Sequence, residues 1–302
     1  MKHSHQHNHH PLPLGGTLNA AFIAGIALNS LYVIVEAIFG FHYNSMGLLS
    51  DAGHNLSDVA TLVIAMVAYK LARRSATEKY TYGYRKGTVQ ASLMNAILLC
   101  IAIGAILTES ISKLIHPSPV DGDAIAWVAG VGVIINGITA WMFIRDKDKD
   151  INVKGAFLHM AADALVSIGV VVSGIIIHFT GWYLIDPIIG IIIAFVIGWS
   201  TKGLLHESIR MSLDGVPDDI NYREVKTAIA SVPGVTSVRH LHIWALSTTV
   251  TAMTAHVTID TPAHMEKIIR EIRERMHSKG INHCTIETDS KIENCDDPTC
   301  IC

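Results

Sequence analysis

The chain has 302 residues, half of them hydrophobic and only 16% charged, whereas soluble proteins average about 25% charged residues. So few charges in so long a chain point to lipid as the solvent for much of it. A formal net charge of −3 gives no reason to expect a nucleic-acid partner, and the seventeen histidines are left as the unusual feature.

Residues 1–16 form a His-rich segment with His3, His5, His7, His9 and His10. Interrupted tracts of this kind bind divalent metal weakly without folding. The segment is too polar to resemble a cleavable signal peptide. Six apolar stretches follow: Leu18–Gly40, Gly47–Tyr69, Thr88–Ile111, Ala124–Ile144, Val153–Phe179 and Leu184–His206. Each is close to the roughly 20 helical residues that cross a bilayer core. Backbone groups in hydrocarbon must bond internally, so these are expected to be helices. Residues 17–206 therefore read as a six-helix, all-α membrane domain.

Loop charges give an orientation. Arg73, Arg74, Lys79, Arg85 and Lys86 lie between spans two and three, and Arg145, Lys147, Lys149 and Lys154 lie between spans four and five. The alternate connections, near Phe41–Met46, His116–Gly122 and Thr180–Tyr183, carry no Lys or Arg. The positive-inside rule then predicts that both termini are cytoplasmic.

Charged residues return from about Glu207. Asp214–Asp219 reads as a turn into a helix over Tyr222–Ser231, stopped by Pro233-Gly234. Val235–Ala245 and Thr248–Asp260 have β-rich alternation, the second placing Val250, Ala252, Thr254, His256 and Thr258 on one face. A second helix is expected from Thr261-Pro262 to about Lys279, and a short last strand over Cys284–Thr288. Helix, strand, strand, helix, strand suggests a small cytoplasmic α+β domain (ferredoxin-like, αββαβ) over residues 207–290. A dimer interface would supplement its modest core. Residues 291–302 form a tail with Cys295, Cys300 and Cys302, where thiol ligation of soft metals competes with a free-thiol tail. Cys100, in the third span, reads as core packing.

The functional signal is charge inside the membrane. Span two contains Ser50-Asp51-Ala52-Gly53-His54-Asn55-Leu56-Ser57-Asp58, and span five contains His159-Met160-Ala161-Ala162-Asp163. Each pairs a His with an Asp four residues on, which puts both side chains on one helix face. Ionisable residues in a membrane are costly and mark a path or a site. At 1.5 Å per residue, His54 and Asp58 lie roughly 10–17 Å from the outer end of their helix, and His159 and Asp163 about as far from the inner end of theirs. Both pairs reach the bilayer midplane. One such pair is equally well explained as a buried hydrogen bond that packs helices; two at matched depth are better explained as a four-ligand N2O2 site. That set suits zinc, while magnesium and calcium prefer all-oxygen shells. Cobalt, nickel and cadmium remain compatible. Asp51, one turn before His54, reads either as a hydrogen-bond partner of the metal ligands or a proton-path residue, or as an interfacial Asp bonded to backbone. Asn29, Glu36, Asn95, Glu109 and Asn136 read as interhelical packing contacts.

On these residues the chain resembles the cation diffusion facilitator family, closest to its zinc-transporting branch. The matching segments are Leu48–Asp58, His159/Asp163, Tyr82-Gly83-Tyr84-Arg85, Asp186-Pro187 and His240-Leu241-His242-Ile243-Trp244, within a likeness that runs from about Leu18 to Asp289. The manganese-like branch carries aspartates where this chain has its two membrane histidines. The resemblance implies a homodimeric metal/proton antiporter in a bacterial inner membrane, with a metallochaperone-like cytoplasmic domain. It also implies metal ligands at His240, His256 and Asp289, with zinc as both transported substrate and cytoplasmic ligand. His283 and Glu287 lie close by and are further candidates. Some relatives bind metal through histidines before the third span; Tyr80 and Tyr84 stand at those places here.

The chemistry of the site suggests a mechanism. Binding needs neutral imidazole and ionised carboxylate, so metal and protons compete for the same groups. Histidine titrates in the range where such exchange is useful. The expected function is Zn2+ export against protons by alternating access around a midplane site. The alternative is a membrane-bound metal sensor that does not transport. An intramembrane metalloprotease would need an H-E-x-x-H motif, which the chain lacks.

Overall fold

The computed structural model describes residues 17–42, 46–116, 122–260 and 264–289. Six long helices come first: α1 (Thr17–His42), α2 (Met46–Leu71), α3 (Lys86–Ile115), α4 (Gly122–Phe143), α5 (Ile151–Thr180) and α6 (Ile185–Ser212). They correspond in order to the six apolar stretches. By length and composition, three described segments suffice to cross a membrane: Lys86–Ile115, Ile151–Thr180 and Pro187–Ser212. Shorter apolar helical stretches cover Ala20–Val35 and Ala129–Phe143. Large apolar side chains, among them Ile34, Ile101, Trp141, Phe195 and Trp199, project outward from the helices. So much exposed hydrocarbon is the kind of surface that meets lipid or another protein.

Packing sorts the helices into neighbours. α4 runs along α5, α3 along α6, and α1 along α2. Phe22, Leu62, Phe143 and Met160 join α1, α2, α4 and α5 in one buried cluster, with the Phe22 and Phe143 rings 4.9 Å apart. α5 and α6 approach closely at Gly169, where a Cβ would lie 2.4 Å from the Ile193 side chain. Small residues allow such backbone approach in membranes, where packing replaces the hydrophobic effect. Asn29 donates to Gly25 O and Thr139 Oγ1, as a packing contact should. Cys100 departs from expectation: it is exposed on α3 rather than packed in a core. A thiol counts as apolar, so hydropathy cannot say which side of a helix holds it.

α6 extends six residues past the expected His206. The extra turns are held by protein rather than lipid, because Ser208 bonds Ser92 of α3 at 2.6 Å and Met211 is buried. Arg210 then donates to Asp218 and Val216 O, closing the turn that follows. α7 (Tyr222–Ala230), β1 (Val235–Ser247), β2 (Val250–Ile259), α8 (Met265–Ser278) and β3 (Ile281–Asp289) complete the fold in the predicted order. The sheet is mixed, ordered β1-β2-β3, with β1 and β2 antiparallel and β3 parallel to β2. A parallel neighbour requires a crossover, which α8 supplies.

Met253, Ala255, Val257 and Ile259 face the core beneath α7 and α8, against Val225, Ile229, Ile268, Ile272 and Met276. The face with His256 is therefore the other one, as the alternation predicted. β3 is longer than expected because Ile281 is buried at its start. The helical and cytoplasmic parts meet at a mixed seam. Val89, Ile151, Met211 and Ala245 share an apolar cluster, and Lys86 Nζ donates to Met211 O, Asp214 and Ala245 O.

Candidate metal centre

Asp58 on α2 and His159 on α5 are both buried, at 1% and 3% relative exposure. His159 Nε2 lies 2.8 Å from Asp58 Oδ1 and 3.8 Å from Asp163 Oδ2, one turn further along α5. The three ligand atoms all fall within 4.8 Å of one another. A tetrahedral zinc ion with bonds near 2.0–2.1 Å holds its ligand atoms about 3.3 Å apart, a value the two distances bracket. Asp58 Oδ2 and His159 Nδ1 are also buried, with no hydrogen-bond partner among the described residues. Two charged or polar atoms left so at the centre of a helix bundle are costly unless a cation answers them. Among the described residues, this is where three such ligand atoms converge so tightly.

Convergence follows from the local sequence. The four-residue spacing stacks His159 and Asp163 on one face of α5, and Gly and Ala around them let neighbouring helices close in. α5 is capped at both ends. Asp150 caps its start by accepting from Asn152 N at 2.7 Å, and Gly181 ends it with φ 66. His54 and Asp51 lie on α2, and their side chains fall outside the described residues. His54 is one turn before Asp58, on the same helix face. Asn55, buried on α2, is a further polar residue of this helix that the His–Asp spacing does not mark.

The cytoplasmic candidates are only partly gathered. The ladder shifts register between Arg239 and His242, and His240 takes φ 45 there. Its ring centroid comes to 4.8 Å from that of His256. His256 Nε2 in turn lies 3.4 Å from Glu287 Oε2. A bulge that re-aims a side chain is characteristic of functional strand edges. Asp289 sits two positions beyond Glu287, opposite Thr258, with its side chain outside the described residues. His283 stays apart: it is four residues from Glu287, about 13 Å along the strand, and its ring meets Tyr82 edge-on at 5.7 Å. Cys295, Cys300, Cys302 and the N-terminal histidines lie outside the described residues. Burial pushes the Cys284 thiol up to about 11. Before α3, Tyr80 and Tyr84 stack at 4.8 Å, and Gly83 turns the chain at φ 71, where a Cβ would press on Arg74 O.

Comparison with known proteins identifies the family. The model of the cation efflux transmembrane domain matches residues 22–211, and that of the cation efflux protein cytoplasmic domain matches residues 217–291. A "Cadmium, cobalt and zinc/H(+)-K(+) antiporter" of Bacillus velezensis is 32% identical, covering 99% of this chain and 95% of its own. The "Metal cation efflux system protein CzcD" of Cupriavidus metallidurans is 37% identical, over 94% and 89%. The "Zinc transporter ZitB" of Escherichia coli is 31% identical, over 99% and 96%. With both domains matched along nearly the whole chain, this protein belongs to the cation efflux family, the cation diffusion facilitators.

Proposed function

We propose that the protein exports Zn2+ from the cytoplasm in exchange for protons, through a site made by His54, Asp58, His159 and Asp163. The observation that carries this reading is the buried Asp58–His159–Asp163 convergence between two different helices. A site split between α2 and α5 can be opened by moving one helix against the other, which a structural site would not need. Two imidazoles and two carboxylates give zinc its tetrahedral shell, and cadmium, cobalt and nickel are tolerated by the same ligand types. Metal arriving from the cytoplasm displaces protons from these groups, and protons arriving from outside displace the metal. Six spans with both termini cytoplasmic place the mixed-sheet domain, in a ferredoxin-like arrangement, on the loading side. The bacterial relatives suit an inner-membrane location.

The chain acts as a homodimer, whose contact supplements a small cytoplasmic core. His240 and His256, with Asp289 or Glu287, bind a second, regulatory zinc there. Asp51 serves the membrane site as an outer hydrogen-bond partner or proton-path residue.

Zinc uptake into sealed, inside-out vesicles tests the reading. An acid interior should drive zinc accumulation, and abolishing the gradient should stop it. Because the Bacillus relative is named for potassium as well as protons, a parallel potassium gradient identifies the driving ion. Zinc binding without accumulation under either gradient would establish the sensor instead.

A further inference from the structure

Beyond the Lys86–Ala245 contact, the tip of the β1–β2 hairpin is tied into the helical domain at Thr248. Thr248 N donates to Thr88 Oγ1 of α3 at 3.1 Å, and Thr248 Oγ1 donates to Asp150 Oδ2 at 3.1 Å. Asp150 uses its other oxygen, Oδ1, to cap α5 through Asn152 N at 2.7 Å. Asn152 Nδ2 closes the ring by donating to Thr88 O at 3.1 Å. One carboxylate therefore holds both the start of α5 and the tip of the cytoplasmic hairpin.

Two rigid elements extend from that joint. The hairpin strands run from Thr248 to His240 and His256, about 26 Å at strand rise. In the other direction α5 runs from Asp150 to His159, about 14 Å at helical rise. A cap requires only one acceptor, and Ser or Asn would supply it. An Asp whose second oxygen reaches into another domain does more than capping needs. Burial raises the carboxyl above its usual range, against the hydrogen bonds that lower it. Retaining so desolvated a group at a seam fits a joint better than a plain cap.

We propose that Thr248 and Asp150 form the joint through which the cytoplasmic hairpin displaces α5, and with it His159 and Asp163, relative to Asp58 on α2. Asp150 is thus a positioning residue for transport, acting through α5. The inference rests on the reading of the membrane site as the transport site. Spatial continuity alone does not prove coupling, so the joint has to be broken without breaking the cap or the fold.

Three variants of the full chain in sealed vesicles do this. Thr248→Val keeps the shape and removes the hydroxyl; Thr248→Ser keeps the hydroxyl; Asp150→Ser keeps the cap and is too short to reach Thr248. Thr248→Val and Asp150→Ser should lower maximal zinc uptake roughly fivefold to tenfold, the range of a modest coupling. The zinc concentration at half-maximal uptake and the melting temperature should stay at wild-type values, and Thr248→Ser should restore uptake. Combining Thr248→Val with Asp150→Ser should cost no more than either alone, because both cut one contact. Wild-type uptake in Thr248→Val overturns the joint. So does a loss of uptake that tracks a lower melting temperature or that Thr248→Ser fails to rescue, because the contact would then be only structural. An Asp163→Ala control separates the two readings: undiminished uptake there would remove the transport site itself, whatever the joint does.

Discussion

The two histidine–carboxylate clusters use the same chemistry in opposite settings. In the membrane, Asp58 and His159 are buried and within hydrogen-bond reach. In the cytoplasmic domain, the His256 side chain is 38% exposed and Glu287 68%, at 3.4 Å. A charge deprived of its partner in a dry interior cannot be rescued by solvent, whereas an exposed one is. The membrane cluster is therefore all-or-none and the cytoplasmic cluster graded. The proposed cargo site calls for the first property, since cargo must bind and leave completely, and the proposed regulatory site calls for the second.

Breaking the membrane cluster should have the largest effect. Asp58→Ala or Asp163→Ala should reduce vesicle zinc uptake to background, at least roughly a hundredfold, since even outer-shell losses cost 10–100-fold. Size-exclusion profiles in detergent should show that both variants remain folded. Next in size is a change of preference rather than a loss. His54→Asp adds oxygen and negative charge, so competition uptake should shift toward cadmium and manganese and away from zinc; an unchanged preference would mean that His54 does not select.

The cytoplasmic cluster should respond more weakly. His240→Ala with His256→Ala should lower uptake severalfold and leave it measurable. The same double variant should lose a zinc-dependent rise in melting temperature, which corresponds to about 2.7 kcal/mol at a zinc concentration a hundred times Kd. Complete loss of uptake would erase the contrast between the two regions. The smallest effect concerns Cys284, near this cluster on β3. Its folded thiol, at about 11, holds its proton more tightly than the ordinary value of 9.0. Between those values the folded state binds more protons, so its contribution to stability is complete below pH 9 and lost as pH rises through 11. At pH 8 its alkylation, followed by mass spectrometry, should be much slower than that of free cysteine.

Much of this was legible in the sequence. Hydropathy located the six long helices because lipid-facing and core-facing residues are alike apolar, which makes the pattern strong. The i, i+4 spacing of His159 and Asp163 revealed a shared face before any packing was known. The α7–β1–β2–α8–β3 order followed from turn residues such as Pro233-Gly234 and Gly280. What hydropathy could not show was the cytoplasmic end of α6, where Ser208 and Met211 continue the helix on protein contacts. Nor could alternation show the bulge at His240, which depends on register against β2, or the isolation of His283 from Glu287. The joint at Asp150 was also invisible. Asp before a helix reads as a cap, and its second oxygen finds Thr248 nearly a hundred residues away.

On the proposed function, the membrane cluster itself binds the cargo. Zinc-edge X-ray absorption of the chain carrying His240→Ala and His256→Ala, with His3, His5, His7, His9 and His10 also replaced by Ala, is the sharpest test, because among the described residues Asp58, His159 and Asp163 are then the converged metal-ligand cluster. One zinc should be retained, with nitrogen and oxygen neighbours only, near 2.0–2.1 Å, and adding Asp163→Ala should remove it. Sulfur neighbours at about 2.3 Å would assign the metal to the cysteine tail instead, and no retained zinc would contradict the site altogether.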